Sequence, residues 1–197
     1  MDTTGAAPHR PDLARLLDGY RPQGPLETAD HERARRLLDA EDPWSRGTFP
    51  LHFTASALIV HPPTRRVLLR WHVRQQAWLQ IGGHGDPGET RPLDIALREG
   101  REETGLADLT PWPDAALVHL VDVPVPASAV EPAHVHADLR FLLATGTPEL
   151  ARPENPASPL EWLTVEEAER RTTEDNLRET LARAARLLPP ARLLPPA

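Results

Sequence analysis

The sequence predicts an α+β fold, an α/β/α sandwich in which a mixed β-sheet lies between helices. Three observations predict this class. Apolar strand-like runs begin near residue 48, a segment with helical periodicity interrupts them near residue 92, and two further helical segments follow near the end of the chain. Strands and helices therefore mix without regular βαβ alternation, which is typical of this arrangement.

The length of 197 residues suits one domain with extensions. We expect a leader and helical extension over residues 1–47, the main domain over 48–188, and a disordered Pro-rich tail over 189–197. The chain ends in a duplicated "ARLLPP" unit. Two copies are too few to build a solenoid, so the repeat predicts no further fold.

The extension contains two predicted helices, at residues 11–20 and 28–42. Thr28 is the expected N-cap of the second helix, and Ala34 and Leu37 stand at helical spacing after it. These helices are candidates to cover an edge of the sheet, to cap a pocket or to form a homodimer. The sequence does not choose among these roles.

The main domain opens with a predicted β-hairpin. The runs "FTASALIVH" and "RRVLLRWHV" are strand-like, and the turn "PPTR" joins them. A short apolar strand then leads into the loop "IGGHGDPGET". A helix follows, with Pro92 in its first turn, where the missing N–H costs least, and Gly105 as its C-terminal stop.

Two more strands and two helices complete the prediction. The strands are "AALVHLVDVPV" and "HVHADLRFLLAT". Thr164 and Glu167 form a capping box at the start of the first helix. The last helix, over about residues 173–187, is amphipathic. Its apolar stripe consists of Leu177, Leu181, Ala184 and Leu188.

Composition excludes several classes of function. The chain has no cysteine, so disulfides, zinc–thiolate sites and cysteine nucleophiles are absent. Its formal net charge of −7 argues against a general nucleic-acid binder, which needs a basic patch. No signal peptide and no run of eighteen apolar residues is present, so we expect no membrane insertion and a cytoplasmic location.

The stretch "REGREETGL" crowds three glutamates onto the helix that begins near Pro92. Glu99, Glu102 and Glu103 fall in one arc of about 100°, away from the predicted core face. That core face consists of Leu93, Ala96, Leu97, Gly100 and Thr104. Like charges at these spacings cost about 0.2–0.5 kcal/mol per pair, which Arg98 partly offsets from four residues before Glu102.

A solvated acidic face is the ordinary explanation of such a cluster. Two features favour a cation instead. Clustered carboxylates suit Mg²⁺ or Mn²⁺, which accept hard oxygen ligands. The loop "GGHGDPGE" enters the same helix, and its glycines let the backbone approach a ligand closely.

The loop and helix together resemble the signature of the Nudix hydrolases: Gly, five residues, Glu, seven residues, then REUxEExGU, where U is bulky and apolar. The matching residues are Gly83, Glu89, Arg98, Glu99, Glu102, Glu103, Gly105 and Leu106. The chain departs from the signature twice. Eight residues separate Glu89 from Arg98, which leaves the role of Glu89 open, and Gly100 occupies the first U position at a cost of about 1 kcal/mol in helix propensity.

The resemblance extends over about residues 49–170 and implies a metal-dependent hydrolase of a nucleoside diphosphate linked to another moiety. It implies that Glu99, Glu102 and Glu103 hold Mg²⁺, with Mn²⁺ as an alternative and the carbonyl of Gly82 as a further ligand. Arg98 would orient the glutamates. Glu99 is the first choice for general base, and Glu131 from a later loop is the alternative.

Other residues are candidates for substrate contacts. His84 stands in the glycine loop, next to the expected phosphates. Residues 134–141 alternate cleanly, which places His136 and Arg140 on one face of a strand. That face either is solvated or lines the cleft. As zinc ligands, His134 and His136 lack a third spaced partner.

One alternative function remains open. A domain of this fold can lose catalysis and act as a ligand-binding or regulatory module. Such modules usually lose some of the glutamates, whereas this chain retains all three.

Overall fold

The computed structural model describes residues 10–129 and 131–190, and these residues form the predicted sandwich of helices and a mixed sheet. The predicted leader before residue 10 and the tail beyond residue 190 lie outside the described residues. The helices are α1 (Arg10–Gly19), α2 (Pro25–Leu37), α3 (Pro92–Thr104), α4 (Val165–Arg171) and α5 (Asp175–Leu187).

Eight strands make up one sheet in the described part of the chain. They are β1 (Leu51–His61), β2 (Arg66–His72), β3 (Ala77–Leu79), β4 (Ile81–Gly83), β5 (Thr110–Pro111), β6 (His119–Val125), β7 (His134–Ala144) and β8 (Leu160–Thr164). Strands β1 and β7 are parallel, while every other pairing is antiparallel. The predicted hairpin is confirmed, because β1 pairs with β2.

The two faces of the sheet bury two separate hydrophobic clusters. On β1, Phe53 and Ile59 belong to the cluster under α1, α2 and α3, whereas Leu58 and Val60 belong to the cluster under α4 and α5. Successive side chains of a strand point to opposite faces, so one strand serves both clusters. The sequence of β1 is continuously apolar at its centre because both of its faces are covered.

Helix ends follow local sequence, with one correction. Helix α3 has Pro92 in its first turn and Gly105 in the left-handed conformation at its C-terminus, as expected. Helix α4 begins with the expected capping box between Thr164 and Glu167. The expected N-cap at Thr28 is wrong. Helix α2 begins at Pro25, whose fixed φ suits the first turn, so Thr28 lies inside the helix and donates its hydroxyl to the Gly24 carbonyl at 2.9 Å.

The N-terminal helices cover the open edge of β6. The backbone N–H of Leu120 donates to the Tyr20 hydroxyl, and that of Asp122 donates to the Asp30 carboxylate, each at 3.1 Å. An exposed edge strand is a template for aggregation, and these side chains occupy its hydrogen-bonding groups. Of the three roles considered for the extension, covering an edge is the one that the contacts support.

No helix within residues 10–129 and 131–190 is both long enough and apolar enough to cross a membrane.

Gly100 faces the sheet, and its lack of a side chain lets α3 pack closely there. A Cβ at this position would lie 2.7 Å from Cδ1 of Leu109 and 3.5 Å from that of Leu143, both buried. The propensity cost of glycine is thus accompanied by close packing between helix and sheet.

We expect Gly100→Leu to lower the free energy of unfolding by about 1–3 kcal/mol, because the added atoms overpack a filled core. Urea denaturation would measure the change. Gly19→Ala is the matched control, since a Cβ at Gly19 meets nothing within 4 Å. Equal midpoints for wild type and Gly100→Leu would contradict this account of the packing.

Candidate functional site

A cleft of about 810 Å³ opens between α3, the loop after β4 and the polar face of β7. Nine of the residues singled out in the sequence line it: Gly82, Gly83, His84, Glu99, Glu103, Glu131, His134, His136 and Arg140. Three others, Glu89, Arg98 and Glu102, do not line it. The structure therefore places the glycine loop and two of the three helical glutamates around one cavity.

Arg98 holds the acidic side chains in position behind the cleft. Its guanidinium donates to Glu89 at 2.9–3.1 Å, to Glu99 at 2.9 Å and to Glu102 at 2.8 Å. It also donates to the backbone carbonyl of His84 at 2.9 Å. One side chain thus fixes the glycine loop to the helix.

Glu89 takes part in this arrangement despite the extra residue that follows it. Its carboxylate accepts the backbone N–H of Asp86 at 2.8 Å as well as the hydrogen bonds from Arg98. Burial acts to raise the pKa of Glu89, but Arg98 holds it below its usual value. By pairing with Arg98, Glu89 holds the glycine loop against helix α3.

Glu103 is the least exposed of the three helical glutamates. Its Oε1 lies 2.5 Å from Nη1 of Arg70, while its buried Oε2 has no hydrogen-bond partner among the described residues. Burial raises the pKa of Glu103 to about 7, although Arg70 opposes the rise. The expectation of an arc clear of the core is wrong for Glu103, because at 100° per residue it falls about 20° from Ala96, at the border of the core face, and its side chain is buried there.

Glu99 lies against the glycine loop. A Cβ at Gly83 would stand 2.6 Å from Oε1 of Glu99, so any larger residue there would displace the carboxylate. Burial raises the pKa of Glu99 despite the nearby guanidinium of Arg98. Glu102, in contrast, is half-exposed and held by Arg98 at the edge of the group.

These carboxylates fit a hard divalent cation. The unpartnered Oε2 of Glu103 and the raised pKa of Glu99 and Glu103 indicate negative charge that the protein does not fully neutralise. Carboxylate oxygens are the ligands that Mg²⁺ and Mn²⁺ accept. The donor set therefore agrees with the cation that the sequence predicted.

The polar face of β7 is buried, so its interpretation as a solvated face is wrong. Asp138 accepts hydrogen bonds from Thr54, Ser56 and Arg140 at 2.7–3.0 Å. Arg140 is 2% exposed and also donates to Asn176 on α5. Arg140 borders the cleft, but these contacts mainly tie the sheet to α5, and a contact with substrate stays a prediction.

Sequence reasoning missed residues that the fold brings into the site. Arg70 on β2 pairs with Glu103, and His52 on β1 joins His84 and His136. Both residues lie in runs that otherwise read as apolar strands. Only the register of the sheet, in which His52 lies opposite His136, could have indicated the second group.

Comparison with known proteins places the chain in a family. A probable DHNTP pyrophosphohydrolase of Lactococcus lactis is 33% identical over 110 residues, which is 55% of this chain and 64% of that protein, so less than two thirds of the relative is matched. The structure of an Ap4A hydrolase from C. elegans is similar with a TM-score of 0.55 at 19% identity, covering 68% of this chain and 96% of that one.

A NUDIX family hydrolase from Clostridium perfringens has a similar structure, with a TM-score of 0.50 at 26% identity, covering 70% of this chain and 95% of that one. The family model for the NUDIX domain matches residues 50–184. That region contains α3, the glycine loop and the whole sheet. The chain therefore belongs to the NUDIX family, as its loop and acidic helix predicted.

Proposed function

We propose that this protein is a metal-dependent pyrophosphohydrolase, which cleaves the diphosphate of a nucleoside diphosphate derivative. The observation that supports this most directly is the pair of carboxylates at the cleft, Glu99 and Glu103, with the unpartnered Oε2 of Glu103. A cation that binds a diphosphate needs such negative oxygen ligands beside a cavity open to substrate.

In this proposal Glu99, Glu102 and Glu103 hold Mg²⁺ or Mn²⁺, with the carbonyl of Gly82 as a further ligand. When bound, the ion supplies positive charge at the diphosphate and lowers the pKa of the attacking water. Arg98 keeps Glu99 and Glu102 in place through its hydrogen bonds.

A carboxylate at the cleft takes the proton from the attacking water. Glu99 is the first choice because it lies beside the glycine loop, and Glu131 is the alternative because it also lines the cleft. Arg46 and Arg74 line the same cavity and provide guanidinium groups suited to phosphate oxygens. His84 and His136 are placed to contact the rest of the substrate.

The substrate class is inferred from the relatives. Those proteins are named for dihydroneopterin triphosphate and for Ap4A, both phosphate anhydrides joined to a nucleotide-like group. We propose a substrate of that chemistry and no nucleic-acid polymer. The homodimer and the cytoplasmic location stay predictions from the sequence.

The test is hydrolysis of a substrate panel by the purified chain. We expect Mg²⁺-dependent release of a phosphorylated product from at least one of dihydroneopterin triphosphate, dinucleoside polyphosphates, nucleotide sugars, ADP-ribose, NADH, coenzyme A and (d)NTPs. Chromatography of the products would identify the bond that breaks. Removal of Mg²⁺ with EDTA should abolish release, and its return should restore it.

The alternative is a ligand-binding or regulatory module of the same fold without catalysis. Retention of all three glutamates and of Arg98 disfavours it. Binding of a panel member without turnover, measured by calorimetry with Mg²⁺ present, would support that alternative and contradict the proposed activity.

A further inference from the structure

Four of the nine histidines cluster beside the cleft, where three of them line its wall and His52 lies buried behind them. They are His52, His84, His134 and His136. Five pairs among their rings have centroids 4.7–5.1 Å apart. One ring nitrogen from each of His52, His84 and His136 lies within 4.8 Å of the other two.

The sheet creates this convergence. His52 lies directly opposite His136 in the parallel pairing of β1 with β7, and His134 is two residues earlier on the same face of β7. His84 follows β4, which pairs with the other side of β1. Two strands and the loop after β4 therefore hold the four rings.

In two of the rings, Nδ1 lies within hydrogen-bond distance of a backbone carbonyl oxygen. Nδ1 of His52 lies 3.2 Å from the carbonyl of Thr48, and Nδ1 of His134 lies 2.9 Å from that of Pro132. A carbonyl only accepts, so each Nδ1 carries the proton and each Nε2 presents a lone pair. Metal-binding histidines in proteins are typically held in this way.

The Nε2 atoms of the four rings lie close together in two pairs. Nε2 of His52 lies 3.1 Å from Nε2 of His84, and Nε2 of His134 lies 3.1 Å from Nε2 of His136. Ligand nitrogens around a tetrahedral Zn²⁺ stand about 3.3 Å apart, given Zn–N bonds of about 2.0–2.1 Å. The separation between His52 and His84 is close to that value, and the ligand nitrogens of His52, His84 and His136 all lie within 4.8 Å of one another, so rotation of the rings would bring them to the spacing of a coordination shell.

The four rings form two hydrogen-bonded pairs when no metal is bound. Because Nε2 of His52 and of His134 presents a lone pair, the facing Nε2 of His84 and of His136 carries the proton, so each of these two rings would change tautomer or bind through Nδ1 when a metal enters. Of the charged groups that line the same cavity, Arg46 opposes a cation, while Glu131 and Asp138 favour one. Neutral imidazole is the ligand form for borderline metals such as Zn²⁺.

We propose that His52, His84 and His136 form a second metal site, which binds a transition metal ion such as Zn²⁺, with His134 as the adjacent fourth imidazole. Its nitrogen ligands differ in chemistry from the oxygen ligands of the glutamates, so the two sites select different ions. The site shares the cleft with the carboxylates, and a metal held there would lie beside the bound substrate.

Calorimetry on the untagged full chain, stripped with EDTA and then saturated with Mg²⁺, tests the site with Zn²⁺ alone. We expect one Zn²⁺ per chain. His52→Ala and His136→Gln should each weaken the Zn²⁺ Kd by at least about 100-fold, the upper end of what losing an outer-shell partner costs. Co²⁺ should give the visible absorption bands of a nitrogen-ligated ion in wild type and lose them in both variants.

Two controls separate this site from the carboxylates and from other histidines. His61→Ala removes a histidine at the far end of β1, where it contacts Thr64, and should leave the Zn²⁺ Kd unchanged. Glu103→Gln should also leave it unchanged. Circular dichroism would check folding, and the Co²⁺ spectrum of wild type tests the ligands without any substitution.

The proposal is overturned if wild type binds no Zn²⁺, if both histidine variants bind as wild type does, or if Glu103→Gln rather than the histidine variants removes binding. None of these readouts requires turnover of substrate. Failure of this proposal is therefore distinct from failure of the proposed hydrolase activity.

Discussion

Replacing Glu103 with glutamine is expected to lower kcat/KM by at least about 100-fold on any substrate that the wild type hydrolyses. Glu103 offers a buried, unpartnered carboxylate oxygen beside the cleft, and glutamine replaces its negative charge with a neutral amide. The amide oxygen can still accept the hydrogen bond from Arg70, so the shape of the site is retained. Steady-state kinetics with saturating Mg²⁺ would measure the loss.

Asp94→Asn provides the matched control for this substitution. Asp94 lies on the same helix, is exposed and pairs with Arg91 away from the cleft. It should retain wild-type kcat/KM. Calorimetric titration with Mg²⁺ should show weaker binding only in Glu103→Gln. Full activity in Glu103→Gln would show that Glu103 does not take part in holding the cation.

Local signals in the sequence predicted the part of the site that lies on α3 and its loop. The spacing of Glu99, Glu102 and Glu103, with Arg98 before them, depends only on helical geometry, and Pro92 and Gly105 mark the ends of that helix. Such features depend on neighbours within about four residues. They are therefore visible in one sequence without any knowledge of the sheet.

Features that depend on strand pairing were not predictable in the same way. His52 stands within an apolar run, and only its position opposite His136 in the sheet shows that it belongs to the histidine cluster. The strand β8 (Leu160–Thr164) was also missed: the capping box correctly placed the start of the helix at Thr164, but the strand before it is defined by its pairing with β2. Burial of Glu103 likewise depends on Arg70, which is 33 residues earlier in the chain.

The largest effect on stability is expected for Arg183→Ala, which should lower the free energy of unfolding by about 3–5 kcal/mol. Arg183 is 5% exposed and donates to both oxygens of the buried Glu27 at 2.7 and 2.9 Å. It also donates to the Tyr20 hydroxyl and to the carbonyl of Val118. Alanine would leave the buried Glu27 carboxylate without its charged partner, with only the Tyr20 hydroxyl and the backbone N–H of Gln23 as donors.

Chemical denaturation would measure this change, with Arg186→Ala as the control. Arg186 lies on the same helix but is exposed and stands 4.0 Å from Glu179, so its loss should cost at most about 0.5 kcal/mol. The double variant Glu27→Leu with Arg183→Leu should recover much of the lost stability, because apolar side chains can replace a buried ion pair. If Arg183→Ala matched Arg186→Ala, the pair would contribute nothing measurable.

Acid provides an independent test of the same pair. Burial acts to raise the pKa of Glu27, but Arg183 and Tyr20 hold it below its ordinary value of 4.5. A carboxyl group whose pKa is lowered by folding contributes stability above its unfolded pKa, and that contribution is lost as the pH falls through the folded value. Wild type should therefore lose stability below about pH 4.5 by this route, whereas Arg183→Ala should lose less, since its Glu27 lacks the partner that lowers the pKa. A parallel decline in both proteins between pH 7 and pH 3 would mean that other carboxylates govern the acid response, and that Arg183 acts by packing rather than by charge.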